Sequence, residues 1–321
     1  MKPLHRAPLR VLLGLLTSIV ILAPDASMAV RAAGDTDPVA LKPKWEVGRR
    51  QVMRVSMVQE QRIPMPNVAE PVQQVTTQVQ EFSTTALKAL DGGGYEIEVE
   101  FLHIVLNSRM GSQIVLDFDS KKDAKDDAAN PLGAMLRPLA GAKLKVYTTP
   151  SGKVDRVEGL KELADKVSSG APAMMAGMMQ SLVSEDMFKQ MGIVPVGLPD
   201  DPVKPGDEWP VRMDYKLGTL GTLTTSMTMT FKGWETREGR RCVALTHKGR
   251  MWSQPPASGG TAPMARITGD TEGTSWFDPE AGYTVDSVAT QTLQIKVSAM
   301  GTEMNIQSRQ SLTNRVVEVS R

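Results

Sequence analysis

Residues 285–299, VDSVATQTLQIKVSA, decide the fold class, because apolar and polar side chains alternate there with a period of two. Successive side chains of a β-strand point to opposite faces, so this alternation is typical of a half-buried strand. The sequence therefore predicts an antiparallel β protein. One face of this strand would carry Val285, Ser287, Ala289, Gln291, Leu293, Ile295, Val297 and Ala299.

The same alternation recurs along most of the chain. In residues 94–106 it places Phe101 and His103 on one face and the glutamates on the other. The turns are marked by Asp278–Gly282 and by a hairpin at 299–302, since Pro and Gly suit turn dihedrals. We predict a mainly β (α+β) fold, a curved antiparallel sheet or half-barrel. Its strands would include 49–62, 72–87, 94–106, 112–118, 143–149, 222–231 and 285–299.

Residues 158–191 form the one convincingly helical segment, interrupted near 168–170, which we expect to pack on the sheet. Its second part, 172–191, is rich in methionine at helical spacing. Methionine is flexible and adapts to irregular partners, so this helix either covers an apolar cavity or simply packs on the core. The candidate ligand-binding residues are Met174, Met175, Met178, Met179, Leu182 and Met187.

Two segments that each contain a Trp/Gly start and two strands suggest that the chain has two similar halves. The first begins at Trp45 and the second near Trp209. Thr-rich strands also resemble each other by chance, so duplication and coincidence both remain open. We expect residues 45–321 to form a single domain, because its length is within the range of one β architecture.

The first 29 residues have the features of a secretory signal. A basic start precedes the apolar run 11–23, which is shorter than the ~20 residues that span a bilayer. Ser27 and Ala29 are small residues at the positions that signal peptidase reads, so cleavage is expected after Ala29. A flexible lead-in, residues 30–44, would follow, and no later segment is apolar enough to span a membrane. The mature protein is therefore expected in the periplasm or outside the cell.

The charge balance excludes one class of partner. The whole chain has 37 basic and 36 acidic side chains, and the signal sequence removes three and one of them. The remaining, nearly neutral surface gives no electrostatic reason to bind nucleic acid.

Few residues suitable for catalysis or metal binding remain in the mature chain. It keeps His103 and His247 and the single Cys242, too few for a typical zinc site. Cys242 is expected to be a buried hydrophobe and His103 a hydrogen-bonded structural residue. We expect no cofactor, no metal and no enzymatic activity.

Two groups of acidic residues are candidate sites. The group from Asp117 to Asp127 has Lys122 where a calcium loop requires Gly, so it is interpreted as a solvated loop. Glu96, Glu98 and Glu100 could supply the carboxylate pair of a glycosidase, but they also match the exposed face of an amphipathic strand. We interpret them as that exposed face.

Three short segments carry a resemblance to a known family: Trp45-Glu46-Val47-Gly48, residues 149–157 (TPSGKVDRV), and Leu198-Pro199 with the later Pro205-Gly206-Asp207-Glu208-Trp209. They resemble a family of uncharacterised exported bacterial proteins, known only as a domain of unknown function. The resemblance covers most of residues 45–320. It implies secretion and a β-rich fold, and it supplies no catalytic residues.

Two functions remain open from the sequence. The first is non-catalytic binding of an apolar ligand, a lipid or an acyl chain, beneath the Met-rich helix. The second is a structural or protein-interaction module that contacts another envelope protein.

The predicted cleavage site can be tested by expressing the full chain in a bacterium and measuring the mass of the exported protein. We expect a mature chain that begins at Val30. The Ala29→Arg variant should keep its first 29 residues, because arginine does not fit the small-residue position. Equal masses of processed wild type and variant would contradict this site.

Overall fold

The computed structural model describes residues 36–65, 68, 70–125, 131–169, 197–216, 221–254, 264–299 and 302–321. The predicted signal sequence, residues 1–29, lies outside these ranges. So do the candidate ligand-binding residues Met174, Met175, Met178, Met179, Leu182 and Met187.

The described residues form one twelve-stranded antiparallel sheet, which is open and curved. This confirms the predicted fold class. Its strands are β1 (Arg50–Ile63), β2 (Val72–Ala89), β3 (Tyr95–Met110), β4 (Gln113–Asp119), β5 (Lys143–Thr148), β6 (Val154–Glu158), β7 (Glu208–Lys216), β8 (Thr222–Arg237), β9 (Arg240–Gln254), β10 (Met264–Asp278), β11 (Tyr283–Ala299) and β12 (Thr302–Ser320).

The order of strands across the sheet is β6-β5-β3-β2-β1-β12-β11-β10-β9-β8-β7, and β4 pairs with β3 beside β5. Most neighbours are consecutive in the chain, so the sheet is largely a meander. The main exception is the pairing of β1 with β12, which runs from Arg50↔Ser320 to Arg62↔Gln307. The first and last strands therefore join two runs of strands at the centre of the sheet.

The alternation of β11 holds in the structure and assigns its two faces. Ser287, Gln291 and Leu293 are buried, whereas Thr292 and Gln294 are exposed. The cross-strand register extends this buried face to the neighbouring strands through Gln291↔Gln310 and Thr271↔Gln291. We call this buried side of the sheet the inner face and the other side the outer face.

The alternation predicted for residues 94–106 is wrong beyond Phe101. Phe82 pairs with Phe101 but Glu81 pairs with His103, so Leu102 is an extra residue in a β-bulge. After the bulge, each side chain of β3 points to the face opposite to the one that simple alternation predicts. Ile104 therefore joins Phe101 on the inner face, and His103 moves to the outer face beside Glu81.

The helical part of the chain packs at the β3–β5 end of the sheet. Helix α1 (Pro131–Leu136), which the sequence did not predict, continues into a 3-10 helix (Arg137–Leu139). Helix α2 (Leu160–Ser168) confirms the start of the predicted helical segment 158–191. Leu160, Leu163 and Val167 of α2 are buried in the same apolar cluster as the inner side chains of β3 and β4.

Ordered contacts begin before Trp45, within the residues expected to form a flexible lead-in. Val39 exchanges two backbone hydrogen bonds with Val203, at 2.8 and 3.0 Å. Leu41 is 1% exposed and packs with the apolar side chains of β8 and β9. These contacts attach residues 39–41 to the β7–β9 end of the sheet.

Two inner-face glycines mark places where neighbouring backbones approach closely. A Cβ atom on Gly269 would lie 2.2 Å from the carbonyl oxygen of Thr292. A Cβ atom on Gly249 would lie 2.3 Å from the carbonyl oxygen of Ser226 and 2.6 Å from the Cα of Met227. Only glycine fits such an approach without displacing the neighbouring strand.

We expect Gly249→Ala to lower the free energy of unfolding by about 1–3 kcal/mol, because the new methyl group meets backbone that cannot move aside. Gly92→Ala is the matched control, since a Cβ atom there has nothing within 4 Å. Urea denaturation measures both. Equal stability of the two variants would show that the strands separate at little cost at Gly249.

Candidate functional site

The inner face carries no charge over a wide area. Its side chains belong to residues 53–63 of β1, 72–82 of β2, 104–110 of β3, 223–231 of β8, 243–251 of β9, 267–275 of β10, 287–297 of β11 and 304–316 of β12. Within these described stretches, none of the inward side chains is Asp, Glu, Lys or Arg. The charged residues of the same strands lie on the outer face.

Uncharged polar side chains cross this face as a continuous band. Register pairs connect Ser108 to Thr76, Thr76 to Gln59, Gln59 to Gln310, Gln310 to Gln291 and Gln291 to Thr271, across six strands. A second, shorter row lies beside it. The polar band comprises Gln59, Gln61, Gln74, Thr76, Ser108, Thr271, Gln291, Ser308 and Gln310, all at most 4% exposed.

Part of the polar band is connected by hydrogen bonds between strands. Gln74 Nε2 donates to Ser108 Oγ at 2.9 Å, and the Thr76 hydroxyl lies 3.0 Å from the same oxygen. Across the β1–β12 pairing, Gln59 Nε2 donates to Ser308 Oγ at 3.2 Å. These bonds fix the orientation of the side chains on the β3–β1 side of the band.

Other polar atoms of the inner face have no hydrogen-bond partner within the described part of the chain. Both the Nε2 and the Oε1 of Gln291 lack one, although this residue is only 1% exposed. An unsatisfied buried polar atom costs about 1–3 kcal/mol, and folded proteins pair nearly all such atoms. These atoms are therefore exceptions to the usual pairing of buried polar groups. The other such atoms are Gln74 Oε1, Gln78 Oε1, Thr225 Oγ1, Ser287 Oγ and Asn314 Oδ1.

Apolar side chains border the polar band on both sides. In one direction along the strands, the next inward position beyond the band is occupied by an apolar row. It is formed by Ile63, Ile267, Ile295 and Ile306, each at most 6% exposed. In the other direction, Met57, Ala289 and Leu312 form a small buried cluster. Successive side chains on one face of a strand lie about 6.5–7 Å apart along the strand. The polar band is only two such rows wide, so it is narrow compared with the apolar surface beside it.

His247 on β9 is the one histidine among the inward side chains of the described stretches. It is 6% exposed, and its Nε2 lies 3.5 Å from the Thr271 hydroxyl. Burial lowers the pKa of His247 to about 4, so its imidazole is neutral at pH 7. The inner face therefore remains uncharged at neutral pH.

The other histidine has a structural environment on the outer face. His103 Nε2 lies 2.8 Å from Asp119 Oδ1, and its Nδ1 lies 3.6 Å from Glu81 Oε2. Burial opposes the ionisation of Glu81, but the hydrogen bond and charge of Arg54 outweigh it and keep the pKa of Glu81 lowered. These contacts match the prediction of a hydrogen-bonded His103.

The glutamate row forms ion pairs with lysines of neighbouring strands. Glu96 contacts Lys145 at 2.8 Å and Lys88 at 3.0 Å, and Lys143 contacts Glu98 at 2.9 Å. Hydrogen bonds from Lys145 and Lys88 lower the pKa of Glu96, whereas a general acid requires a raised one. The row therefore has the electrostatics of an ion-paired outer surface.

Three further expectations concern Cys242, metals and membrane spans. Cys242 is fully buried, and burial raises the pKa of its thiol to about 12, as expected of an inert hydrophobe. Among the described residues, no cluster of His, Cys, Asp or Glu has the arrangement of a metal site. No helix in the described ranges has the length and apolar character needed to cross a membrane.

A groove of about 480 Å³ lies at the edge of the molecule. It collects the three segments that carry the family resemblance, because Trp45, the turn at 148–154 and Leu198-Pro199 all line it. The turn is closed by backbone hydrogen bonds between Thr149 and Lys153. Tyr95 adds a second aromatic ring to the groove.

The chain belongs to a family of unknown function, DUF6263, whose profile matches residues 92–284. This match confirms the resemblance that the sequence indicated. No curated protein sequence matches the chain significantly.

Three solved structures are similar to this one, each with a TM-score below 0.5. Lipovitellin, from a study of its lipid–protein interactions, has a TM-score of 0.46 and 10% identity over 86% of this chain, which spans only 26% of lipovitellin. A candidate exported protein with a YmcC-like fold from Bacteroides fragilis has a TM-score of 0.29 and 10% sequence identity. The match covers 88% of this chain and the whole of that protein's chain. A candidate lipoprotein from Parabacteroides distasonis has a TM-score of 0.26 and 12% sequence identity. This match also covers 88% of this chain and the whole of that protein's chain.

Sequence reasoning included Gln291 on a strand face but did not identify the polar band. A signal was present in β1, where Gln59 and Gln61 alternate with charged residues between Met57 and Ile63. Glutamine at positions that should be buried is unusual for a core strand. Only the cross-strand register shows that such residues meet in one band.

The buried His247 predicts a pH dependence of stability. The folded-state pKa of about 4 lies below the ordinary value of 6.5, so acid protonates the unfolded chain first. Stability from this residue is complete above pH 6.5 and falls by about 3 kcal/mol on acidification toward pH 4. We expect His247→Gln to remove this share of the pH dependence in urea denaturation between pH 7 and 4.5. Parallel pH profiles for wild type and variant would contradict a buried neutral imidazole.

Proposed function

We propose that the protein is an exported, non-catalytic carrier of the bacterial envelope that holds a neutral apolar ligand, such as a lipid, against its inner face. The observation that carries this proposal is the uncharged inner face, with orphaned polar atoms of Gln291 inside an apolar surround. Export rests on the predicted signal sequence. The proposal covers the periplasm and the cell exterior alike.

The apolar part of the inner face supports binding of hydrocarbon. Buried side chains of β1 and of β7 to β12 form one continuous apolar cluster beside the polar band. Apolar surface removed from water contributes about 25 cal/mol per Å², so an acyl chain on such a face would be held mainly by burial. Ligand sites of this kind are mostly apolar and include a few well-placed polar groups.

The sequence placed the ligand beneath the Met-rich helix, at Met174, Met175, Met178, Met179, Leu182 and Met187. Because those residues lie outside the described ranges, the proposed site is drawn from the inner face instead. The class of ligand, apolar and carried without chemistry, remains the same. No nucleic acid is expected as a partner.

A non-catalytic role agrees with the environment of the reactive residues. His103 is engaged by two carboxylates on the outer face, and His247 has a lowered pKa and places its Nε2 3.5 Å from the Thr271 hydroxyl. The thiol of Cys242 is buried and protonated. None of these groups has the base-and-nucleophile arrangement that covalent catalysis requires.

A second candidate function is that of an interaction module, which the groove at Trp45 favours. Two aromatic rings, Trp45 and Tyr95, and three prolines, Pro43, Pro150 and Pro199, line it. An aromatic and proline-lined groove of this size could accept an extended peptide segment of another envelope protein.

Native mass spectrometry tests the carrier. We expect protein purified from an envelope fraction without detergent to carry an added mass, and delipidated, refolded protein to lack it. Gln291→Glu should abolish the added mass, because it introduces a charge into the neutral inner face. The matched control is Gln294→Glu, the same change on the exposed outer face of the same strand.

The unfolding midpoints of both variants show whether each is folded. If the wild-type protein has the bare polypeptide mass in both preparations, the carrier is excluded and the interaction module becomes the working function. If Gln291→Glu keeps the full added mass while folded, the ligand binds elsewhere on the protein.

A further inference from the structure

We infer that the polar band selects a lipid whose buried part carries a neutral hydrogen-bond donor, a hydroxyl or an amide N–H, and that it rejects a free fatty-acid anion. This inference rests on the proposed function and specifies its ligand. It assigns a recognition role to Gln291, which lies on β11 near the β10 end of the band.

The hydrogen-bonding atoms left over on the inner face define what the ligand must supply. Gln291 has an unpartnered donor, Nε2, and an unpartnered acceptor, Oε1, among the described residues. Both atoms of the carboxamide lack a partner, so one donor and one acceptor are left unpaired whichever way the amide is turned. A partner for Gln291 must therefore both donate and accept, as hydroxyl and amide groups do.

Other unpartnered atoms of the inner face include carbonyl acceptors. The amide oxygens of Gln78 and Asn314 are buried without a partner within the described ranges, and they lie on β2 and β12, on either side of β1. A carbonyl oxygen can only accept, so these atoms require a donor from the ligand or from water. An ester or an alkane has no donor to offer them.

The absence of charge on the inner face explains why a free fatty-acid anion would be rejected. The described inward side chains include no Lys or Arg that could pair with a carboxylate. Within the described stretches, His247 is neutral at pH 7 and so adds no positive charge. A carboxylate transferred to this surface would lose its hydration without gaining a counter-ion, which is far more costly than burying a neutral group.

The geometry sets where the neutral group lies along the ligand. Apolar rows border the band on both sides, at Ile295 in one direction and at Ala289 in the other. A ligand that crosses the band therefore has hydrocarbon on at least one side of its hydroxyl or amide group. A monoacylglycerol, with two hydroxyls next to an ester and one acyl chain, has this composition.

Three fluorescent probes with the same pyrene-dodecanoyl tail separate the alternatives: the glycerol monoester, the methyl ester and the free acid at pH 8. We expect the glycerol monoester to bind about tenfold more tightly than the methyl ester, since one buried hydrogen bond contributes about 1–1.5 kcal/mol. The free acid should bind more weakly than either ester. Fluorescence titration of the delipidated full-length mature protein measures the three dissociation constants.

The Gln291→Leu variant isolates the role of the carboxamide. It should lower the affinity for the glycerol monoester about tenfold, to the level of the methyl ester, and leave methyl ester binding unchanged or tighter. Gln294→Leu on the outer face should change neither constant.

The outcomes distinguish this inference from the proposed function. Equal wild-type affinity for the glycerol and methyl esters, or preferred binding of the free acid, would overturn the selectivity and leave the carrier standing. Full glycerol monoester binding by a folded Gln291→Leu variant would overturn the role of Gln291. Binding of none of the three probes, together with a bare native mass, would remove the carrier itself. If Gln291→Leu does not fold, the comparison of the three probes on the wild type still decides the selectivity.

Discussion

The antiparallel pairing of β1 with β12 is the constraint on which the rest of the structure depends. It joins the first strand of the chain to the last, and so it unites β2–β6 on one side with β7–β11 on the other. The polar band crosses this pairing, because Gln59 and Gln310 are register partners across it. The band therefore exists only when the two ends of the chain have met. Such a long-range pairing has a high loop-closure cost and is expected to form late in folding.

The cost of the polar band explains why it points to function. A face built for stability alone would continue the apolar pattern of Ile295 and Ile306 across all strands, since buried amides contribute little net stability even when paired. This protein instead keeps Gln59, Gln291 and Gln310 almost completely buried. Polar groups retained at such positions in natural proteins are expected at functional sites, where local rules of stability are broken for another purpose.

The fold was predictable from the sequence because a period of two runs along the long strands between their bulges. The sequence could not show the points at which that period is interrupted. The bulge at Leu102 leaves no sequence signature, since no glycine marks it, and it moved His103 from the predicted inner face to the outer one. Helix α1 was missed because its six residues are too few to show a helical period.

The candidate site was less predictable than the fold for a different reason. The polar band gathers residues from six strands, and the chain separates Thr76 from Gln310 by most of its length. Each glutamine interrupts the apolar pattern of its own strand but does not show which residues it meets. Their proximity follows only from the register, which a single sequence does not specify. By contrast, the three segments that carried the family resemblance do meet in space, around the groove at Trp45.

The separation of charge between the two faces connects the surface of the protein to its interior. Outer-face acids are matched by cations, as Glu96 is by Lys145 and Asp286 by Arg237 and Arg315. Asp286 is only 1% exposed, yet its two arginines satisfy it on the outer side of β11. Ser287 and Gln291 lie on the opposite side of that strand, where none of the described inward side chains is Asp, Glu, Lys or Arg. One strand thus divides an ion-paired, water-facing surface from a neutral interior. In that interior a hydrogen bond is stronger than in water and an unpaired ion is excluded, which is the physical basis of the proposed preference for a neutral amphiphile.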